Sequence, residues 1–149
     1  MPLSSFLPPA GTALLVVLSL AACTTAGVRD GAPPLANREW RLVELNGRPA
    51  VTAGDANDPF LRFAVDSSRV TGNTGCNLLA GPFTLAGESL RFGALITTKR
   101  ACVEQARNQQ EVEFSAALGA TTRYTVSGDT LTLFGASGPV AQLVARAAP

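Results

Sequence analysis

Residues 38–45, Arg-Glu-Trp-Arg-Leu-Val-Glu-Leu, alternate approximately between polar and apolar, with Trp40, Leu42 and Leu45 near one face. A period near two predicts a half-buried strand. Asn46-Gly47 follows at once, a dipeptide suited to the positive φ angles of a tight hairpin turn. A second strand is expected from Phe60 to Val65, closed by Asp66-Ser67-Ser68 and returned by Val70 to Asn73. Two further hairpins are clearer. Pro82–Leu85 faces Ser89–Phe92 across Ala86-Gly87-Glu88, and Arg123–Val126 faces Thr130–Leu133 across Ser127-Gly128-Asp129. In the latter, Tyr124 and Val126 alternate with Arg123 and Thr125, while Leu131 and Leu133 alternate with threonines. A last strand runs from Val140 to Val144 after a turn at Gly135–Gly138.

One segment changes period. From about Val103 to Leu118 there is no Gly or Pro, and Glu, Gln, Ala and Arg dominate, a composition that favours helix. Val103, Ala106, Gln110, Phe114, Ala117 and Leu118 fall on one side, with only Gln110 interrupting the apolar stripe. Gly119 is placed to end the helix. The expected fold is α+β and mainly β: a curved antiparallel sheet, open or cracked-barrel-like, packed around one amphipathic helix.

The N-terminus follows a different pattern. No charge occurs before Arg29, and Ala10 to Ala22 is an uncharged run centred on Leu14-Leu15-Val16-Val17-Leu18. This run is too short for a helix across a bilayer core of about 30 Å, and it has the length of a signal-peptide apolar region. Leu20-Ala21-Ala22-Cys23 resembles the lipobox of bacterial lipoproteins, in which the cysteine thiol receives a diacylglycerol. Residues 1–22 are therefore expected to be a lipoprotein signal peptide and Cys23 the acylated, palmitate-bearing terminus. The leader lacks the usual Lys or Arg, which leaves room for a start further upstream. A plain secretory signal, or a cytosolic protein with an apolar tail, are the alternatives. Residues 23–36, with Gly27, Gly31 and Pro33-Pro34, read as a flexible tether, and the folded domain is expected over 37–146.

The 127 residues from Cys23 onward suffice for one domain with an ordinary core. Net charge is +1 and no basic stripe stands out, so nucleic acid is not an expected partner. The chain has no histidine, which removes Ser-His-Asp triads and imidazole zinc sites together. Asp55, Asp58 and Asp66 cluster in expected loops and read as solvated turn residues. Glu111 and Glu113 are too close in sequence to face the same way on a helix. No catalytic set and no cofactor is expected.

Once the lipid has taken Cys23, Cys76 and Cys102 remain. An oxidising compartment makes a bond between them the default, closing a loop worth about 3 to 4 kcal/mol; two buried free thiols are the alternative. Two cysteines without histidine supply half a zinc site, so no metal is expected. Gly72 and Gly75 suit a turn that needs positive φ or close backbone approach. Asn77 suits capping of turn amides. Thr97 and Thr98 are placed to satisfy amides before the helix. Architecture explains these five residues better than a ligand site does.

Gly72-x-x-Gly75-Cys76-Asn77, Gly81-Pro82-Phe83, Leu90-x-Phe92 and Thr97-Thr98-Lys99-Arg100-Ala101-Cys102 occur in an order that resembles the META domain, or HslJ-like, family. Glu111-x-x-Phe114-x-x-x-Leu118 and Tyr124-x-Val126-x-Gly128-x-x-Leu131-x-Leu133 continue it, and Trp40-x-Leu42 and Asn46-Gly47 match its opening. The resemblance covers about Asn37 to Leu143. It departs where many members carry Met and this chain has Arg100 and Ala101. It implies a small antiparallel sheet curved around a helix, often in lipid-anchored envelope proteins. The expected protein is thus a monomeric, non-catalytic module held to a membrane through Cys23, facing the periplasm or cell exterior. A protein partner or an envelope-stress role is expected; a carrier of a small apolar or acyl ligand in the curved sheet is the alternative.

Overall fold

The computed structural model describes residues 34–100 and 102–147. The expected leader, Cys23 and the first part of the tether lie outside the described residues. Ten strands, one helix and one 3-10 turn make up the described chain. Eight strands close into an antiparallel barrel: β1 (Arg38–Leu45), β3 (Phe60–Ala64), β4 (Arg69–Asn73), β5 (Leu78–Ala86), β6 (Ser89–Phe92), β8 (Arg123–Ser127), β9 (Thr130–Gly135) and β10 (Gly138–Ala147). Two short strands are appended. β2 (Arg48–Pro49) folds back on β1, and β7 (Ile96–Thr97) pairs with Leu79 and Ala80 of β5.

Each hairpin expected from alternation is present. Asn46 and Gly47 take φ of 49° and 74°, the twist that a two-residue hairpin turn requires. The approximate period of β1 has a physical cause. Its pairing with β10 shifts between Leu42 and Glu44, so Val43 is an extra residue and is 43% exposed. That bulge lets Trp40, Leu42 and Leu45 all turn inward although their spacing changes from two to three.

Closure comes from β1 and β10, whose register runs from Arg38 opposite Ala147 to Leu45 opposite Ala141. The narrowest seam lies between β6 and β8. It consists of the Ser89–Arg123 pair, with Leu90 N–H donating to Thr122 O at 3.2 Å and Tyr124 N–H to Glu88 O at 2.9 Å. The curved sheet expected from the sequence is therefore a closed barrel. Its interior is filled by side chains including Trp40, Leu61, Val70, Leu90, Leu131 and Leu143.

The helix α1 runs over Gln105–Ala120, two residues later than expected at both ends. It packs against β1, β6, β9 and β10 and covers the barrel mouth where β1 ends and β10 begins. Its buried residues are Gln110, Phe114, Ala117 and Leu118. Val103 precedes the helix and is fully exposed, and Ala106 is exposed too, so the buried stripe starts only at Gln110, about two turns later than expected. Gly119 lies inside the last turn. Thr121 ends the helix, with its N–H on Leu118 O and its Oγ1 donating to Ala117 O at 2.8 Å.

The opposite mouth is closed by the segment leading into β1. Leu35, which the sequence places in the tether, is fully buried and joins the core. Its carbonyl accepts the Trp40 indole N–H at 3.1 Å, and Ala36 bridges to Phe63 in parallel.

Candidate functional site

Asn77 and Thr98, two of the polar residues singled out in the sequence, meet at the helix-covered mouth. β4 ends and β5 begins there, and the connection between them carries Thr74, Gly75, Cys76 and Asn77. Gly72, just before it, has no room for a side chain: a Cβ would sit 2.1 Å from the Phe60 carbonyl oxygen. Gly75 has φ 124°, in the region that favours glycine, and its N–H donates to Asn73 Oδ1 at 2.7 Å.

Asn77 is buried and uses both ends of its amide. Oδ1 accepts from Arg100 N–H at 2.6 Å and from the Thr98 hydroxyl at 2.9 Å. Nδ2 donates to Arg100 O at 2.9 Å and to Glu111 Oε1 at 2.6 Å. The side chain therefore clamps the segment before α1 instead of capping amides of its own turn. Thr98 satisfies a backbone amide, but that of Leu78 in β5 (3.1 Å) and not one at the helix start. Thr97 sits in β7 opposite Leu79 and takes no part. Thr74, fully buried, donates to the same Glu111 oxygen at 2.8 Å.

Cys76 and Cys102 are joined as a disulfide with Cα atoms 5.6 Å apart. Asn108 holds the Cys102 end, accepting its N–H and donating to its carbonyl, both at 2.9 Å. Arg107 donates to the carbonyls of Gly75 and Asn57, each at 3.1 Å. Amides, hydroxyls and guanidinium groups thus tie the β4–β5 connection, the segment 98–102 and α1 together. The Thr74 hydroxyl does meet a carboxylate, but it is fully buried and out of a substrate's reach. The arrangement positions chain segments.

Of the acids, Asp55 and Asp58 stay together, both facing the Arg107 guanidinium, at 3.8 and 3.9 Å. Asp58 is buried, not solvated as its loop position suggests, and accepts from Ala53 N–H at 2.7 Å and Gly54 N–H at 2.9 Å. Asp55 and Asp66 are exposed. Glu113 turns away from Glu111 to meet Arg48 at 2.5 Å, and hydrogen bonds from Arg48 and Gln109 lower its pKa. Gln110, the interruption in the apolar stripe, is buried because its amide takes both backbone groups of Val51, at 2.6 and 2.9 Å. On the barrel wall, burial would raise the Glu39 pKa, but hydrogen bonds and charge from Arg62 and Arg41 outweigh it and hold the carboxyl below its ordinary value.

A second feature lies on the outer wall of β3, β4, β5 and β7. A groove of about 510 Å³ has Phe60, Leu78, Ala80 and Ile96 as its apolar lining and threonines and Arg62 around them. Leu78 is 62% exposed and Ile96 71%. The Arg62 guanidinium lies 4.9 Å over the Phe60 ring. Sequence alternation gives no hint of this groove, because it joins outward positions of three strands with a two-residue strand too short to be read.

Three solved structures share this architecture. One, an NMR structure of a protein, is 21% identical, with a TM-score of 0.60, covering 74% of this chain and 91% of that one. An NMR structure of a protein from Burkholderia xenovorans is 22% identical, with a TM-score of 0.63 over 76% and 85% of the two chains. A crystal structure of a DUF4847 family protein from Bacteroides vulgatus is 16% identical, with a TM-score of 0.52 over 78% and 97%. At these identities the likeness concerns the fold alone. No curated protein matches the sequence. The sequence profile of the META domain matches residues 33–148, which is the whole barrel together with its helix. The chain belongs to the META domain family.

Proposed function

We propose that this protein is a lipid-anchored, non-catalytic component of the cell envelope that binds an extended apolar stretch of a partner protein on the outer wall of its barrel. The observation that carries the reading is the groove, in which Leu78 and Ile96 stay largely exposed although the barrel has a well-filled core. Exposed apolar surface gathered in one place is costly in water and suits a partner that covers it. The leader ending in Leu20-Ala21-Ala22-Cys23 supports export and acylation at Cys23. The joined Cys76 and Cys102 fit an oxidising compartment. A role under envelope stress is part of the same reading, and the Cys76–Cys102 cross-link supports it by stabilising the barrel.

An acyl ligand is the second reading. The barrel interior is packed with side chains, so such a ligand would use the outer groove, with its carboxylate near Arg62.

Photo-cross-linking in the native envelope tests the proposal. A photoreactive residue at Ile96 is expected to give one discrete protein adduct, and the same residue at exposed Val112 on α1 none. Ile96→Glu should abolish partner capture without unfolding the barrel. Equal labelling at both positions would reject a docking groove. A fatty acyl group recovered from the purified domain by native mass spectrometry would favour the carrier. Absence of a Cys23-dependent mass increase for diacylglycerol would remove the anchor.

A further inference from the structure

The sequence alone offers two cysteines and no histidine, half of a zinc site. The fold supplies a third donor. Sγ of Cys76, Sγ of Cys102 and a carboxylate oxygen of Glu111 lie within 4.8 Å of one another, and this is the one such group of His, Cys, Asp or Glu among the described residues. We propose that Cys76, Cys102 and Glu111 form a redox-gated site for a borderline-soft divalent cation, zinc, which opens when the disulfide is reduced.

The chemistry of the surroundings supports this. The Thr74 hydroxyl and the Asn77 amide both bond to Oε1 of Glu111, at 2.8 and 2.6 Å, which fixes the carboxylate and leaves Oε2 without a hydrogen bond among the described residues. Outer partners of this kind orient a metal ligand. Two thiolates and one carboxylate around Zn²⁺ carry a net charge of −1. Cys76 and Cys102 both line a cavity of about 240 Å³ in which Arg100 offsets that charge; Arg107 of the same lining already faces Asp55 and Asp58 at 3.8 and 3.9 Å, and Glu104 lines the cavity as well. Three protein ligands leave a fourth position for water on the cavity side.

The gating step balances. A dithiol reductant passes two electrons and two protons to Cys76–Cys102 and departs as its own disulfide. The S–S bond breaks and two thiols form; zinc then displaces one proton from each.

The test uses the full chain carrying Cys23→Ser, which removes the third thiol. The oxidised protein is expected to bind no Co²⁺. After reduction it should take one equivalent, with thiolate-to-cobalt charge-transfer absorption that zinc abolishes. Glu111→Gln keeps an oxygen that can accept from Thr74 and Asn77, and it should weaken binding by about 10-fold or more. Cys76→Ser should eliminate the band. A reduced chain that retains its β-sheet circular dichroism yet shows no such band would overturn the proposal. Equal affinity in Glu111→Gln, or unfolding on reduction that zinc does not reverse, would overturn it too.

Discussion

The two mouths of the barrel are closed by opposite means. At one, Leu35 enters as an apolar plug, fixed by a single indole-to-carbonyl bond from Trp40 and one bridge from Ala36 to Phe63. At the other, α1 brings Phe114 and Leu118 to the core, but its start is held by a polar lattice: Asn77, Thr74, Thr98, Asn108 and the Cys76–Cys102 bond. The apolar closure is non-directional, so its strength scales with area removed from water. The polar closure is directional. Every buried donor in it must find its acceptor, and loss of one member strands the others. The first should therefore fail gradually and locally, the second abruptly and together.

Removing the centre of the lattice gives the largest expected effect. Asn77→Ala removes the buried amide that Arg100 N–H and O, Thr98 and Glu111 share as a partner, although Thr98 and Arg100 are themselves exposed. Each lost hydrogen bond costs about 0.5 to 1.5 kcal/mol net, and the four together bring the expected total to about 3 kcal/mol. Urea denaturation would measure it. Hydrogen exchange should rise along 98–104 and the first turns of α1, while the Trp40 indole stays protected. A loss below about 1 kcal/mol would mean that the disulfide alone holds this mouth.

The apolar mouth should answer with the converse signature. Leu35→Ala removes a fully buried side chain, a change that costs about 2 kcal/mol at the lower end of the range for core leucines, because an end segment can shift to fill the gap. Trp40 is the chain's one tryptophan, so its fluorescence reports on this closure without ambiguity. Faster indole exchange and a red-shifted emission are expected, with the 98–104 segment unchanged. If both substitutions loosened both mouths equally, the barrel would be a single cooperative unit and the contrast would fall.

Legibility in the sequence follows the same division. Strands that alternate and turn locally, such as Tyr124–Val126 with Leu131–Leu133, are written in neighbouring residues and can be read there. Closure by β1 and β10 pairs residues about a hundred positions apart, and no local period signals it. Asn77, Thr98 and Glu111 are each visible as polar residues in a suggestive order. Their meeting is not, because loops carry no periodicity and Asn77 reaches 21 to 34 residues along the chain for its side-chain partners. Gln110 looks like a flaw in an apolar stripe. Its amide docks the backbone of Val51, a use that becomes apparent only when residues 59 positions apart are brought together. Leu35 escapes a sequence reading for the converse reason. A single leucine after two prolines has no pattern to join, although burial makes it core.

Glu39 belongs to neither closure and supplies the smallest effect, against which the other two can be judged. It lies in β1 on the barrel wall, opposite Arg62 of β3, and is bonded by Arg62 at 2.5 Å and Arg41 at 2.7 Å. Both arginines are partly open to solvent, so Glu39→Gln should cost only about 1 kcal/mol at neutral pH and shift neither the Trp40 nor the 98–104 reporter. The sign of its pH dependence is fixed by the direction of its pKa. The folded-state value lies below the ordinary 4.5, so the unfolded chain takes up a proton first as pH falls. The stabilisation is therefore complete above the ordinary carboxylate range and disappears as pH drops through the folded-state value. Urea midpoints of native and Glu39→Gln protein, measured from neutral pH down into the acid range, should converge only below pH 4.5. A gap that stayed constant over that range would mean that the substitution costs packing and not charge, and the wall would then resemble the apolar mouth more than the polar one.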